Sequence, residues 1–507
     1  VAGGDDRTAD TTSPGRRTVN ILVIDVGTSS VRAALVSPQA TVVDEHRRSC
    51  LPATPAAGMV EFDPMEIRDA VLEVAASMLD AHAEPVAAVG VATQRASTMI
   101  WDRATGEPVG PGLGWQDLRT LGTCLALQAE GVRLAPNQSA TKVAWLLDTF
   151  DPDRSRNLCF GTIDSWVAWT LSGGEAHVTD LSNAALTGLL DPSRAPWTTA
   201  DTSPWNERLL ERLGIPAGML PNLVDTSGSI ATASVLRGAP PICSLVGDQQ
   251  ASLAGQGVVH PATAKITFGT GGMLDMVVGP RRHVSGARND GGTFPIVTWR
   301  RGGEATWGVE AIMLSAGTNV EWLRDDLGVI DTVEESDRLA ATCADTGGVT
   351  YVPALLGLGT PYWDYGARGT LLGLTRGSGR AEVVRAVLEG VAHRGADLVE
   401  AAEADTGQHI ETLRVDGGMS RNATFIAALA NATGRRVEVS PVVEATALGA
   451  GLLAGLEVGT WGSWDDLAAT WSPRAAVDPD GPADRDRWRR AVERAAGWIP
   501  ELSVLDF

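Results

Sequence analysis

The sequence predicts an α/β protein built from two related halves. Short apolar runs alternate with helices that carry one apolar face, the pattern of layered α/β folds. An apolar strand running into glycine and hydroxyl residues occurs twice, as ILVIDVGTSSVR (21–32) and as AKITFGTGGMLDMVVG (264–279). The second half then repeats the strand-helix alternation of the first, which places a boundary near His260-Pro261.

In the first stretch, Ile21, Leu22, Val23 and Ile24 form a β-branched run, read as a strand buried on both faces. It ends in Asp25, Gly27, Thr28, Ser29 and Ser30. Gly27 permits a tight turn and a close backbone approach. The hydroxyls and turn amides suit phosphate oxygens, and Asp25 suits Mg²⁺. A plain hairpin after a core strand explains this stretch equally well when it is taken alone. Further strands are expected over 33–36 and 40–43. Asp63 and Pro64 then start a helix as N-cap and first residue. Its buried face is Ile67, Val71, Val74 and Met78. VAAVGVATQ (86–94) is another buried strand, followed by a strand over 98–101 and a turn over 102–106.

Side chains at the C-terminal ends of such strands usually face ligands. Arg95 and the loop Trp115-Gln116-Asp117 are therefore cleft candidates. Taken singly, Arg95 is more often a surface ion-pair former and Trp115 more often core. An amphipathic helix covers 141–147, and 160–166 begins another with Thr162, Asp164 and Ser165 near its cap. In ICSLVGDQQASLAGQG (242–257), apolar residues lead to Gly247-Asp248-Gln249 and then to small residues at helical spacing. Asp248 reads either as an N-cap or as a general base projecting into a cleft.

In the second half, Gly269-Thr270-Gly271-Gly272 joins two strands, and Gly317 precedes a helix with Trp322 and Leu323. A long helix over 381–406 has Val384, Val387, Leu388, Val391 and Leu398 on one face. A strand over 411–415 ends at Asp416-Gly417-Gly418, and a helix from 423 stops at Gly434. A strand over 436–439 and helices over 445–453 and 485–496 complete the chain.

The chain has 507 residues, 44% hydrophobic and 20% charged, an ordinary globular composition. Its net charge of −21 argues against nucleic acid and anionic membranes as partners. Nucleotide binding stays open, because local donors and a cation decide it. Cys50, Cys124, Cys159, Cys243 and Cys343 are odd in number and form no C-x-x-C pair, which fits thiols in a reducing compartment. No apolar run reaches transmembrane length. Residues 1–19 are polar, lack a signal-peptide core and are expected as a disordered tail. The expected location is the cytoplasm. The chain has no G-x-x-x-x-G-K-[ST], and no G-x-G-x-x-G between a strand and a helix. Nucleotide phosphates would therefore be held by hairpins from two domains.

The pieces DVGTSSVRA, VEFDPMEI, GWQDLRT, SATKVAWLLD, FGTIDSWVAWTLSGG, HVTDLSNAA, GDQQASLAGQ, AKITFGTGG, AGTNVEWLRD, PYWDYGARGTLLGLTRG, LRVDGGMSRN and EATALGAGLLAG occur in this order. From residue 21 to about 461 the chain thus resembles the FGGY carbohydrate kinases, most closely their glycerol kinase branch. The resemblance implies two actin-like, ribonuclease-H-like domains with a catalytic cleft between them. The domains would be 20–259 on the polyol or sugar side and 260–507 on the nucleotide side. It also implies ATP and Mg²⁺ as cofactors, a small polyol or sugar as substrate, and a homodimer or homotetramer. By resemblance, Asp248 is the catalytic base, and Asp25 and Asp248 adjoin the metal. Thr28, Ser29, Ser30 and Arg32 form the first phosphate hairpin, and Gly269 and Thr270 the second. Gly317 and Glu321 lie beside the nucleotide, and Gly417, Gly418 and Asn422 at the adenosine. Arg95, Ala96, Trp115, Asn137, Asp248, Gln249 and Met273 line the acceptor cup.

Glycerol kinases carry Glu after the Q-R pair, Tyr shortly before S-x-T-K, an aromatic after the second hairpin and Gln before W-L-R-D. Here these are Ala96, Asn137, Met273 and Glu321. The first three belong to the cup. Losing a carboxylate removes acceptors for substrate hydroxyls, which alters preference and does not merely weaken binding. The implied reaction is ATP-dependent phosphorylation of a polyol or sugar hydroxyl, with a tetritol, or a ketopentose such as xylulose, beside glycerol. The competing class is an actin-like ATPase switch, which needs no Arg95-Trp115-Asp248-Gln249 set. A nicotinamide dehydrogenase is disfavoured by the missing dinucleotide fingerprint.

Overall fold

Two mixed β-sheets organise the chain in a computed structural model that describes residues 19–195, 203–281 and 288–504. The expected tail, 1–19, lies outside the described residues except for Val19. The first sheet contains β1 (Ile21–Val26), β2 (Ser30–Val36), β3 (Val42–Ser49), β4 (Val89–Thr93), β5 (Ser227–Thr232) and β6 (Pro241–Gly247). Their order is β5-β6-β4-β1-β2-β3. β1 is buried throughout. On one face Leu22 and Ile24 pack with Ile67, Val71, Val74 and Met78 of α1 (Pro64–Ala81). Burying each such side chain contributes about 1.5–3 kcal/mol. Asp63 caps α1 by accepting from the Met65 amide at 2.8 Å.

The expected strand over 40–43 starts later. Ala40 takes a left-handed conformation at φ 58°, and β3 begins at Val42. This charged, half-exposed strand forms the sheet edge. Arg95 lies in the turn between β4 and a strand of a small four-stranded sheet, Thr98–Asp102. The helix α2 (Ala140–Phe150) packs on that sheet. β6 runs directly into α3 (Asp248–Gly255).

The second sheet contains β7 (Thr263–Phe268), β8 (Gly272–Gly279), β9 (Phe294–Arg301) and β10 (Glu304–Met313). After α4 (Thr318–Asp325) and α5 (Arg380–Thr406) come β11 (Thr412–Asp416), α6 (Ala423–Thr433) and β12 (Arg436–Val439). Next are α7 (Ala445–Glu457) and β13 (Ala475–Val477). The strand order is β9-β10-β8-β7-β11-β12-β13. Both sheets thus share one plan. An antiparallel hairpin, β1-β2 or β7-β8, is extended by parallel strands, β4 and β6 or β11 and β12.

α7 crosses back to the first sheet and covers the face opposite α1. Leu448, Leu452 and Leu453 pack with Ile21, Val23 and Val36. It meets α3 at Gly255 and Gly449. A Cβ on Gly449 would lie 1.7 Å from the Ala251 carbonyl oxygen, so only glycine permits this approach. Ser244 and Ser227 donate to the carbonyls of Ala450 and Leu453, both at 2.8 Å. No helix among the described residues is long and apolar enough to cross a membrane.

Candidate active site

The first hairpin places Asp25 near the end of β1, opposite Arg32 in register. Arg32 Nη2 lies 2.6 Å from Asp25 Oδ2, and its Nη1 pairs with Glu444. Burial pushes the Asp25 carboxyl up to about 6, against the pull of Arg32, and nearby Asp248 adds to the rise. The turn is closed by the Gly27 amide, which donates to the Ser30 carbonyl at 3.0 Å. Thr28 Oγ1 accepts from Trp115 Nε1 at 3.2 Å, and Ser29 is exposed. Trp115 is 39% exposed, so its ring edges this space and is not core.

Asp248 is the first residue of α3, and Gly247 holds the N-cap position. The N-cap alternative for Asp248 therefore falls. Its Oδ1 accepts from the Gln249 amide at 2.8 Å and lies 3.4 Å from Arg95 Nε. Burial raises the Asp248 carboxyl, while Arg95 and the Gln249 amide hold it down. A carboxylate so balanced can accept a proton from an alcohol. Arg95 reaches this position because Ala96 bends the chain at φ 60°. The Ala96 carbonyl is fixed by the hydroxyls of Thr98 at 3.0 Å and Ser139 at 3.2 Å.

Arg95 also touches the second sheet. Its Nη2 lies 2.8 Å from Glu310 Oε2 and 3.9 Å from Met273 Sδ. Gln249 Oε1 accepts from Lys265 Nζ at 3.1 Å. Lys265, Asp275 and Glu310 were not among the sequence candidates. Their signal was a charged residue inside each apolar run, in AKI, LDM and VEA. Asn137 is exposed on the loop before α2 and, among the described residues, makes no hydrogen bond to Arg95 or Asp248.

Around the second hairpin, the Gly317 amide donates to the Gly269 carbonyl at 2.8 Å, and the Ala316 amide to the Thr270 carbonyl at 2.8 Å. A Cβ on Gly317 would lie 2.6 Å from Gly269 O. Gly417, at φ 86°, backs onto Phe268, and Gly418 faces open space. Asn422 caps α6, accepting from the Phe425 amide at 2.8 Å and donating to Ser336 Oγ at 3.1 Å. Glu321 is exposed in the first turn of α4. Side-chain contacts connect the surroundings of the two hairpins. Met273 leaves the second hairpin and meets Arg95, and Arg95 meets Asp248.

Two halves of one plan, a glycine-threonine hairpin in each, and acidic side chains gathered with Arg95 where the halves meet are the features of a phosphotransferase fold acting on a small hydroxylated substrate. Residues 20–255 match the N-terminal domain, and residues 264–458 the C-terminal domain, of the FGGY family of carbohydrate kinases. The chain belongs to that family. It is 41% identical over 502 residues to a glycerol kinase of Dechloromonas aromatica, covering 94% of this chain and 98% of that one. It is 40% identical over 503 residues to a glycerol kinase of Aromatoleum aromaticum, covering 94% and 99%. Among solved structures, Plasmodium falciparum glycerol kinase with ADP superposes with a TM-score of 0.86 at 26% identity, covering 96% and 99%. Xylulose kinase from Rhodospirillum rubrum gives 0.80 at 21% identity, covering 94% and 98%, and shares the fold. The protein is thus a glycerol-kinase-like, ATP-dependent polyol kinase, and the ketopentose alternative fits less well.

Proposed function

We propose that Asp248 is the general base of this kinase and that Arg95, Trp115, Gln249 and Met273 bind the acceptor polyol beside it. The single observation carrying this reading is the contact of Asp248 with Arg95 at 3.4 Å, where Arg95 also reaches Met273 just past the second hairpin. Thr28, Ser29, Ser30 and Arg32, with Gly269 and Thr270, would face the ATP phosphates. Gly317, Glu321, Gly417, Gly418 and Asn422 would line the nucleoside. Phosphoryl transfer depends mostly on positioning and charge neutralisation, which hairpin amides and hydroxyls supply. Asp25, a buried carboxylate whose proton affinity nearby Asp248 raises, and the half-buried Asp248 fit a hard divalent cation. Mg²⁺ held there would neutralise charge between the phosphates. Domains 20–259 and 260–507 closing on both substrates would keep water from the phosphoryl group. Five free thiols agree with a cytoplasmic location.

Glycerol is the acceptor that the relatives' names indicate. Ala96, Asn137 and Met273 argue for a different hydroxyl pattern, and a tetritol is the reading they favour. ADP release measured against glycerol, tetritols, pentitols and ketopentoses tests this. We expect at least one polyol to raise turnover well above the ATP-only background, with a tetritol ahead of glycerol. A flat panel would leave the ATPase-switch alternative standing instead.

A further inference from the structure

Three ionisable side chains stand in one row across the second sheet. Lys265 of β7 lies opposite Asp275 of β8, and Asp275 lies opposite Glu310 of β10. Directly opposed residues put their side chains on the same face. Lys265 and Asp275 are fully buried, and Glu310 is 6% exposed. Desolvating one cation and two carboxylates is unfavourable, and an apolar row of the same volume is often the more stable choice. Something outside the sheet must make use of these charges.

Each end of the row reaches the first domain. Glu310 holds Arg95 Nη2 at 2.8 Å. Lys265 Nζ, paired with Asp275 at 2.9 Å and bonded to Thr267 Oγ1 at 2.9 Å, also donates to Gln249 Oε1 at 3.1 Å. Arg95 and Gln249 flank Asp248. Among the described residues, Arg95 Nη1 is buried with no hydrogen-bond partner, an orphan donor beside the base.

We propose that the Lys265–Asp275–Glu310 row is a positioning device for the acceptor site: Glu310 sets the Arg95 guanidinium and Lys265 sets the Gln249 amide. This rests on the reading of Arg95 and Gln249 as acceptor-binding residues. Acceptor recognition by the first domain then depends on charged groups of the second. Glu310 also competes with Asp248 for the guanidinium. Without it, Arg95 would turn fully onto Asp248 and its free donor would be misaimed.

Glu310→Gln keeps the side-chain shape and removes the charge. The acceptor KM should rise about tenfold while the ATP KM stays within about twofold, and Glu310→Asp should recover part of the loss. A merely structural role would not split the two constants. If Glu310→Gln does not fold, the double variant Lys265→Met, Asp275→Leu removes a buried pair without stranding a lone charge. It frees Gln249 and should give the same split. Constants that stay unchanged or move together in a folded variant overturn the proposal. Turnover by the unmodified protein separates the two claims. If no acceptor is phosphorylated, the proposed function fails and takes this inference with it. If one is phosphorylated and the variants keep its KM, this inference fails alone.

Discussion

Asp248 can be tested as one atom changed for another. Asparagine keeps the shape and can still accept from the Gln249 amide, but it cannot take an alcohol proton. We expect Asp248→Asn to lower turnover by about 10²–10⁴-fold. ADP affinity, measured by calorimetry, should change little. Turnover near that of the unmodified protein would move the base elsewhere. The residue itself was legible as strand, glycine, carboxylate, helix. Its two readings separated only when Gly247 was seen in the cap position. Lys265, Asp275 and Glu310 were not legible as site residues. Each is one charge inside a strand, and only the register across β7, β8 and β10 brings them together.

The crossing of α3 and α7 is set by two glycines at the scale of the element. Gly449→Ala would place a methyl 1.7 Å from the Ala251 carbonyl oxygen, so the helices must separate. Overpacking of this kind costs about 1–3 kcal/mol. Chemical denaturation should show a lower midpoint with an unchanged slope. An unaltered midpoint would mean that the helices do not pack this closely. Local signals placed many elements well. Asp63 and Pro64 open α1, the strand expected over 436–439 is β12, and Gly434 ends α6. β3 began two residues late because Ala40 takes a turn conformation that no glycine announced. The small-residue pattern ATALGAGLLAG announced a helix. Nothing in it said that the helix would return to the first sheet, hundreds of residues earlier in the chain.

For the whole molecule, the repeated glycine-threonine hairpin announced two halves with one plan, whereas their packing across the crevice depends on long-range contacts that no local pattern encodes. The same long-range burial sets how stability responds to pH. His177 sits edge-on to Trp101 at 5.3 Å with its Nε2 2.8 Å from the Phe160 carbonyl, and His393 stacks on Trp488 at 5.1 Å. Burial pushes both imidazoles down to about 4. The unfolded chain therefore binds these protons first, and each histidine removes stability as pH falls from about 6.5 toward 4. Asp25, Asp164 and Asp275 are raised to about 6, chiefly by burial. The folded chain takes their protons first, so they add stability over an overlapping window. The two groups oppose each other, and the overall curve should be shallow. His177→Gln keeps a donor for the Phe160 carbonyl and removes one titrating group. Relative to the unmodified protein, it should gain about 2 kcal/mol between pH 8 and pH 5. Paired urea titrations at the two pH values measure that difference directly. A difference independent of pH would show that His177 titrates alike in the folded and unfolded chains, and its share of the opposition would be lost.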